Sequence, residues 1–278
     1  MSSLYSRDFI VTLIIVLIPL CLALNADSYG QRIMTLSGIY AIAAMGYHLI
    51  FGRLGALSLA QGCFFGLGAY SAGLIGVHFE LSFLTCLLFA VIFTALVALI
   101  IALPVLRLES HYFALATLGI AQVALLIAIN WTEVTGGANG TYGIPQLDLF
   151  GMELSSSNHM LIFVWVILVI VVSLTFWIMR APFNYQVTLL KDTPEVAASS
   201  GIDIGRWRLT FFIMSAIFGA TAGALQAYTI GVVSPATLEF QVMVSILAMT
   251  VIGGKNHPAG AVTVSYTHLT LPTKWIGG

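Results

Sequence analysis

Charge is what this sequence has least of. Asp, Glu, Lys and Arg make up 8% of its 278 residues, against roughly 25% in an ordinary soluble domain. A nucleotide-binding loop is missing too. No G-x-x-x-x-G-K-[ST] occurs, which excludes a chain that cleaves ATP through such a loop of its own. The His, Cys and carboxylate residues form no group with metal-ligand spacing, so no metal site is assigned. No Ser/His/Asp set stands out, so no catalytic residue is assigned. Cys21, Cys63 and Cys86 each lie within an apolar run and are spaced for neither a disulfide nor a metal. They read as small core residues. The net charge of −1 says little by itself, and the placement of the charges says more; no nucleic-acid partner is expected.

What is present is apolar length. Hydrophobic residues make up 59% of the chain, and the mean hydropathy is +1.01. No soluble core of this size needs that much apolar surface. Runs long enough to cross a bilayer, or nearly so, lie at 9–24, 33–51, 57–77, 83–106, 112–131, 159–179, 209–230 and 240–253. The expected fold is all-α, a polytopic integral membrane helix bundle with about 8 spans, the first and last shorter than usual. Arg7 before the first run and Ala26 after it resemble a signal peptide, but Asp8 beside Arg7 and seven further runs favour an uncleaved span. The runs contain no Asp, Glu, Lys or Arg. An ion-coupled transporter or an intramembrane proton relay needs such groups. Any energy for transport is expected from outside the chain.

Basic residues set the orientation. With a cytoplasmic N-terminus and eight spans, Arg7, Arg53, Arg107, Arg180, Lys191, Arg206, Arg208 and Lys255 all fall inside. Outside there is Arg32 alone, apart from Lys274 in the tail. Loop 132–158 has no Lys or Arg but carries Glu133, Asp148 and Glu153. This asymmetry obeys the positive-inside rule. The glycine-rich run 57–77 is the one that could re-enter instead of crossing.

The stretch from Arg180 to Arg208 is the long polar break on the basic side. Within it, 193–201 reads as a short helix: Thr193 as N-cap, Pro194 at the first helical position, Glu195 at the positive dipole end, Gly201 just past the end. Two turns of polar helix do not persist alone in water. A partner protein is expected to hold it.

Small residues mark the third and seventh runs, with Gly62-xxx-Gly66 and Gly219-xxx-Gly223, extended by Ala69, Ala72, Gly73 and Gly76. Close helix packing is the stronger reading; a broken helix beside a substrate path is the other. Gln61, Gln122, Gln226 and His48 are the polar candidates for a path. The external loop, with Thr135, Gly136, Gly137, Asn139, Gly140 and Pro145, is dense in turn formers. It reads as a structured loop, a docking surface or a lid.

Several stretches together resemble a known family. They are Gly55-Ala56-Leu57-Ser58-Leu59-Ala60-Gln61-Gly62 with Phe64-Phe65-Gly66-Leu67-Gly68-Ala69-Tyr70, Tyr112-Phe113-Ala114-Leu115-Ala116-Thr117-Leu118, and the loop from Thr135 to Pro145. Glu195-Val196-Ala197-Ala198-Ser199-Ser200-Gly201-Ile202, the segment Ser215 to Leu225, and Gly253-Gly254 complete the set. The chain resembles the LivM-type permease subunits of branched-chain amino-acid ABC importers; urea-type permeases of that family look similar. The resemblance implies a multi-pass protein of the bacterial inner membrane with a cytoplasmic N-terminus. It implies a second permease subunit, two cytoplasmic ATPase subunits that hold ATP-Mg, a periplasmic substrate-binding protein, and no cofactor in this chain. Glu195, Ala197, Ala198, Gly201 and Ile202 would contact the ATPase. Gln61, Gly62, Gly66, Gly68, Tyr70 and Gln122 would border the path. Val196 interrupts the family's usual Glu-Ala-Ala order, and Gln61-Gly62 stands where Gly-His is common. The permease domain is expected over 1–263. Residues 264–278, polar and threonine-rich, resemble a translated sequencing adapter, where the family would continue with another apolar span.

Overall fold

The computed structural model describes residues 2–108, 110–149, 152–153, 156–178, 186–189, 194–254 and 259–266. All eight apolar runs fold as helices: α1 (Ser2–Leu24), α2 (Ser28–His48), α3 (Gln61–Phe79), α4 (Phe83–Val105), α5 (Ser110–Asn130), α7 (Ser157–Ile178), α10 (Ile204–Ile230) and α11 (Phe240–Gly253). Short helices fill the connections: α6 (Thr132–Thr135), α8 (186–189), α9 (Pro194–Ser199) and α12 (259–266). Six helical stretches are long and apolar enough to cross a membrane, among them Ser28–Leu54. Val11–Leu24 and Phe240–Gly253 are the two shorter ones, as the run lengths predict. Of the threonine-rich tail, 264–266 continue α12, and 267–278 lie outside the described residues.

The helices share two ends. At one, called here the cap end, loop 132–149 meets the turn after α10, and Phe83 at the start of α4 packs against Tyr228 at 4.9 Å. At the other, the basic end, Phe9 of α1 packs against Phe176 of α7 at 5.4 Å. Arg53, Arg107, Arg206 and Arg208 lie towards this second end.

α10 is the spine, packing against α3, α2 and α4; α7 closes on α2, and α1 on α7. Lipid supplies no hydrophobic drive between helices, so contact depends on close backbone approach and hydrogen bonds. On α4, Cys86, Ala90, Thr94, Ala98 and Ala102 recur every four residues and are all buried. Its other face, with Leu88, Phe89, Ile92, Leu96, Ile100 and Leu103, is exposed. Both faces are apolar, so only side-chain size distinguishes the packed face from the lipid face.

Helix ends follow local chemistry. A π-helical turn, Leu49–Leu54, lengthens α2, and Gly55 ends it with φ 66°. Residues 55–60 are not helical, which delays α3 to Gln61 although the apolar run begins at 57. The backbone N–H of Leu59 donates to Thr117 Oγ1 at 2.9 Å, tying this stretch to α5 instead of to a helix of its own. Asp203 caps α10 by accepting from the backbone N–H of Arg206 at 3.1 Å. Gly231, with φ 78°, ends α10.

Candidate functional site

Gln61 stands where three helices meet. Its Nε2 donates to the carbonyls of Ala43 on α2 at 3.0 Å and Ser215 on α10 at 3.3 Å. Its Oε1 accepts from Ser215 Oγ at 2.6 Å. The side chain is buried and satisfied at both ends of its amide. Gly46 opens room for it: a Cβ there would stand 2.7 Å from Gln61 Nε2.

The glycines around this node divide between two faces. A Cβ on Gly68 would run into the Ala220 backbone, and one on Gly223 into the carbonyl of Phe65. These are the contacts that bring α3 and α10 together. Gly62 and Gly66 look elsewhere, against Met243 of α11 at 2.9 Å and against Leu238 of the 3-10 turn Pro235–Leu238. The two small-residue motifs therefore do not face one another. Tyr70 is buried, and its hydroxyl has no hydrogen-bond partner among the described residues. Gln122 lies apart from this group, half-buried on α5.

The loop from Thr135 to Pro145 is a fixed cap. Thr141–Tyr142 pair antiparallel with Val232–Val233, with Thr141 opposite Val233. Thr135 Oγ1 donates to the Ala128 carbonyl at 2.7 Å and accepts from the backbone N–H of Gly137 at 3.2 Å. Gly136 and Gly140, both at φ 76°, make the turns. Ile144 drops against Gly73 of α3, and Pro145 lies over Gly76. Asn139 is exposed. Two clefts flank the cap. One of about 350 Å³ holds Arg32, Thr35 and Ser157, and one of about 680 Å³ holds Glu80, Ser82 and Asp148.

At the basic end α9 has the expected ends. Pro194 opens it, and Gly201 follows it with φ 76°. The Ile202 N–H donates to the Ala197 carbonyl at 3.1 Å, the 6→1 bond of a Schellman cap. Thr193 and the side chains of Glu195 and Ala198 lie outside the described residues. Contrary to expectation, a partner is not the helix's sole support: α9 packs on α10, and Ala197 is fully buried within the chain. The outward group is Val196, 49% exposed, with Ser199, Ser200 and Gly201 beside it. Val196, the residue that interrupts the Glu-Ala-Ala order, is thus an exposed apolar side chain of α9.

A family described as the permease component of branched-chain amino acid transport systems matches residues 30–275. The chain belongs to this permease family. A high-affinity branched-chain amino acid transport system permease protein LivM from Salmonella typhimurium is 30% identical over 276 residues, covering 91% of this chain and 64% of that protein. The LivM of Escherichia coli is 32% identical over 245 residues, covering 80% and 58%. A probable branched-chain amino acid transport permease protein LivH from Methanocaldococcus jannaschii is 24% identical over 241 residues, covering 83% and 75%. The chain thus spans less than two thirds of the length of these LivM relatives. No solved structure matches significantly. Membership of this permease family and the apolar helices together make the chain a multi-pass membrane protein.

Proposed function

We propose that this chain is the permease subunit of an ATP-binding-cassette importer and forms part of the transmembrane path for branched-chain amino acids. The basic end faces the cytoplasm of a bacterial cell, by the positive-inside rule, and the cap end faces the periplasm. ATP-Mg is held and cleaved on a pair of separate ATPase subunits. A second permease chain completes the path, and a periplasmic binding protein delivers the substrate to the cap end.

The observation that carries this reading is α9. It is a short helix capped at its end, displayed at the basic end, with Val196 turned outward on a chain that lacks a nucleotide loop of its own. A small-residue helix with one exposed apolar side chain seats well in a cleft of another protein, and flanking charges fix its orientation. The cap loop and its two clefts offer a firm polar rim to a soluble donor protein.

A photo-crosslinking amino acid at Val196, in cells that carry the whole transporter, tests this. The expected result is an adduct with an ATPase subunit that also copurifies with the chain. Adducts with lipid alone would overturn the reading.

A further inference from the structure

The last apolar helix, α11, is short because it does not begin at the cap end. After α10 the chain turns at Gly231, and Val233 lies against Gly73 of α3 beneath the cap. Leu238 then lies against Gly66, and Met243 against Gly62. Gly66 is ~10 Å further from the cap end than Gly73, at 1.5 Å per helical residue. Gly68, half a turn away, lies against Ala220. By the same rise Ala220 stands ~24 Å from the start of α10 and ~15 Å from its end. The chain therefore dips to the middle of the bundle before α11 starts at Phe240.

The residue at the bottom of this dip is Glu239. It precedes α11 as its N-cap, yet its side chain makes no cap hydrogen bond. Its carboxylate has no hydrogen bond or ion pair among the described residues. It is exposed on this chain, with Phe240 and Gln241 exposed beside it. By sequence Glu239 falls in a connection between two apolar runs; the seating of Leu238 on Gly66 gives its depth. An ionisable group at mid-membrane faces the bundle interior or a water-filled cavity, not lipid. A carboxylate, an amide and an aromatic ring side by side suit a small solute with one cationic group and an apolar remainder. We infer that Glu239 lines the transport path at mid-membrane and takes the ammonium group of the passing amino acid. The inference rests on the importer reading for the solute, and on the depth of Glu239 for the path. A carboxylate that no cation of the chain neutralises is free to pair with a cation in transit.

Two measurements test it in cells with the whole transporter. Glu239→Cys should react with a membrane-impermeant methanethiosulfonate ammonium reagent, whereas Ile100→Cys on the lipid face of α4 should not. The unaltered chain, whose Cys21 is exposed, gives the background. No reaction at position 239, with or without substrate supplied, would overturn the inference. Glu239→Gln should leave the melting temperature of the purified chain unchanged, because the carboxylate holds nothing within it. The same change should lower the maximal rate of leucine uptake about tenfold, and Glu239→Asp should restore part of that rate. Unimpaired uptake with Glu239→Gln would overturn the inference. So would uptake driven by a sodium or proton gradient that Glu239→Gln abolishes, since the carboxylate would then serve a coupling ion. Reaction at position 239 without any ATPase adduct from Val196 would leave the path standing and remove the importer reading. The reverse pair of results would remove the path assignment alone.

Discussion

At the scale of single residues, Gly223 and Gln61 each allow a test of how the helices are held together. Gly223→Ala puts a methyl group against the Phe65 carbonyl and the Ala69 N–H, both backbone groups that cannot swing aside. Overpacking of this kind costs ~1–3 kcal/mol. The expected outcome is a lower melting temperature for the detergent-solubilised chain. Gln61 gives a second test. Ser215→Ala removes the donor to Gln61 Oε1 and leaves a buried carbonyl oxygen unpaired, a loss of ~1–3 kcal/mol. A double-mutant cycle with Gln61→Leu should return a coupling of ~0.5–2 kcal/mol. A cycle that closes to zero would mean that Gln61 is held by backbone contacts alone. The sequence marks Gln61 as polar in an apolar run, but its partners lie 18 and 154 positions away. No local pattern points to them.

At the scale of elements, α9 was legible because its punctuation is local. Pro194 and Gly201 each act through their own backbone geometry, and the structure has both where that chemistry puts them. What covers α9 was not legible, because α10 reaches it only in three dimensions. Gly201→Val forces a branched side chain into a left-handed conformation, at ~1–2 kcal/mol, although a Cβ there meets no atom. The strain is confined to the α9 cap. Membrane insertion should therefore be retained while ATP-driven uptake falls sharply, measured side by side in membranes and in uptake assays. α4 shows the opposite limit. Its apolar run reads plainly as a span, yet the face that packs is hidden among residues of equal hydrophobicity. Only the small side chains at every fourth position reveal it. Ala98→Leu on that face should destabilise the chain by ~1–3 kcal/mol, whereas Ile100→Leu on the lipid face should leave its melting temperature unchanged.

At the scale of the whole molecule, the division of labour follows from where polarity is allowed. The apolar runs within the spans carry no Asp, Glu, Lys or Arg, the cap end carries Arg32 as its one Lys or Arg among the described residues, and cations concentrate at the basic end. Composition alone makes the bundle legible, because a bilayer leaves few alternatives to helices. The arrangement of helices around α10 was not legible, because it depends on which glycine meets which backbone. The apolar runs offer no carboxylate to a coupling ion, and on the proposed reading the driving force reaches the bundle through the basic end. The direct test is uptake of labelled leucine into proteoliposomes that hold the assembled transporter, with its binding protein outside. Accumulation should require ATP inside and be indifferent to proton and sodium gradients. Accumulation driven by an ion gradient without ATP would contradict it.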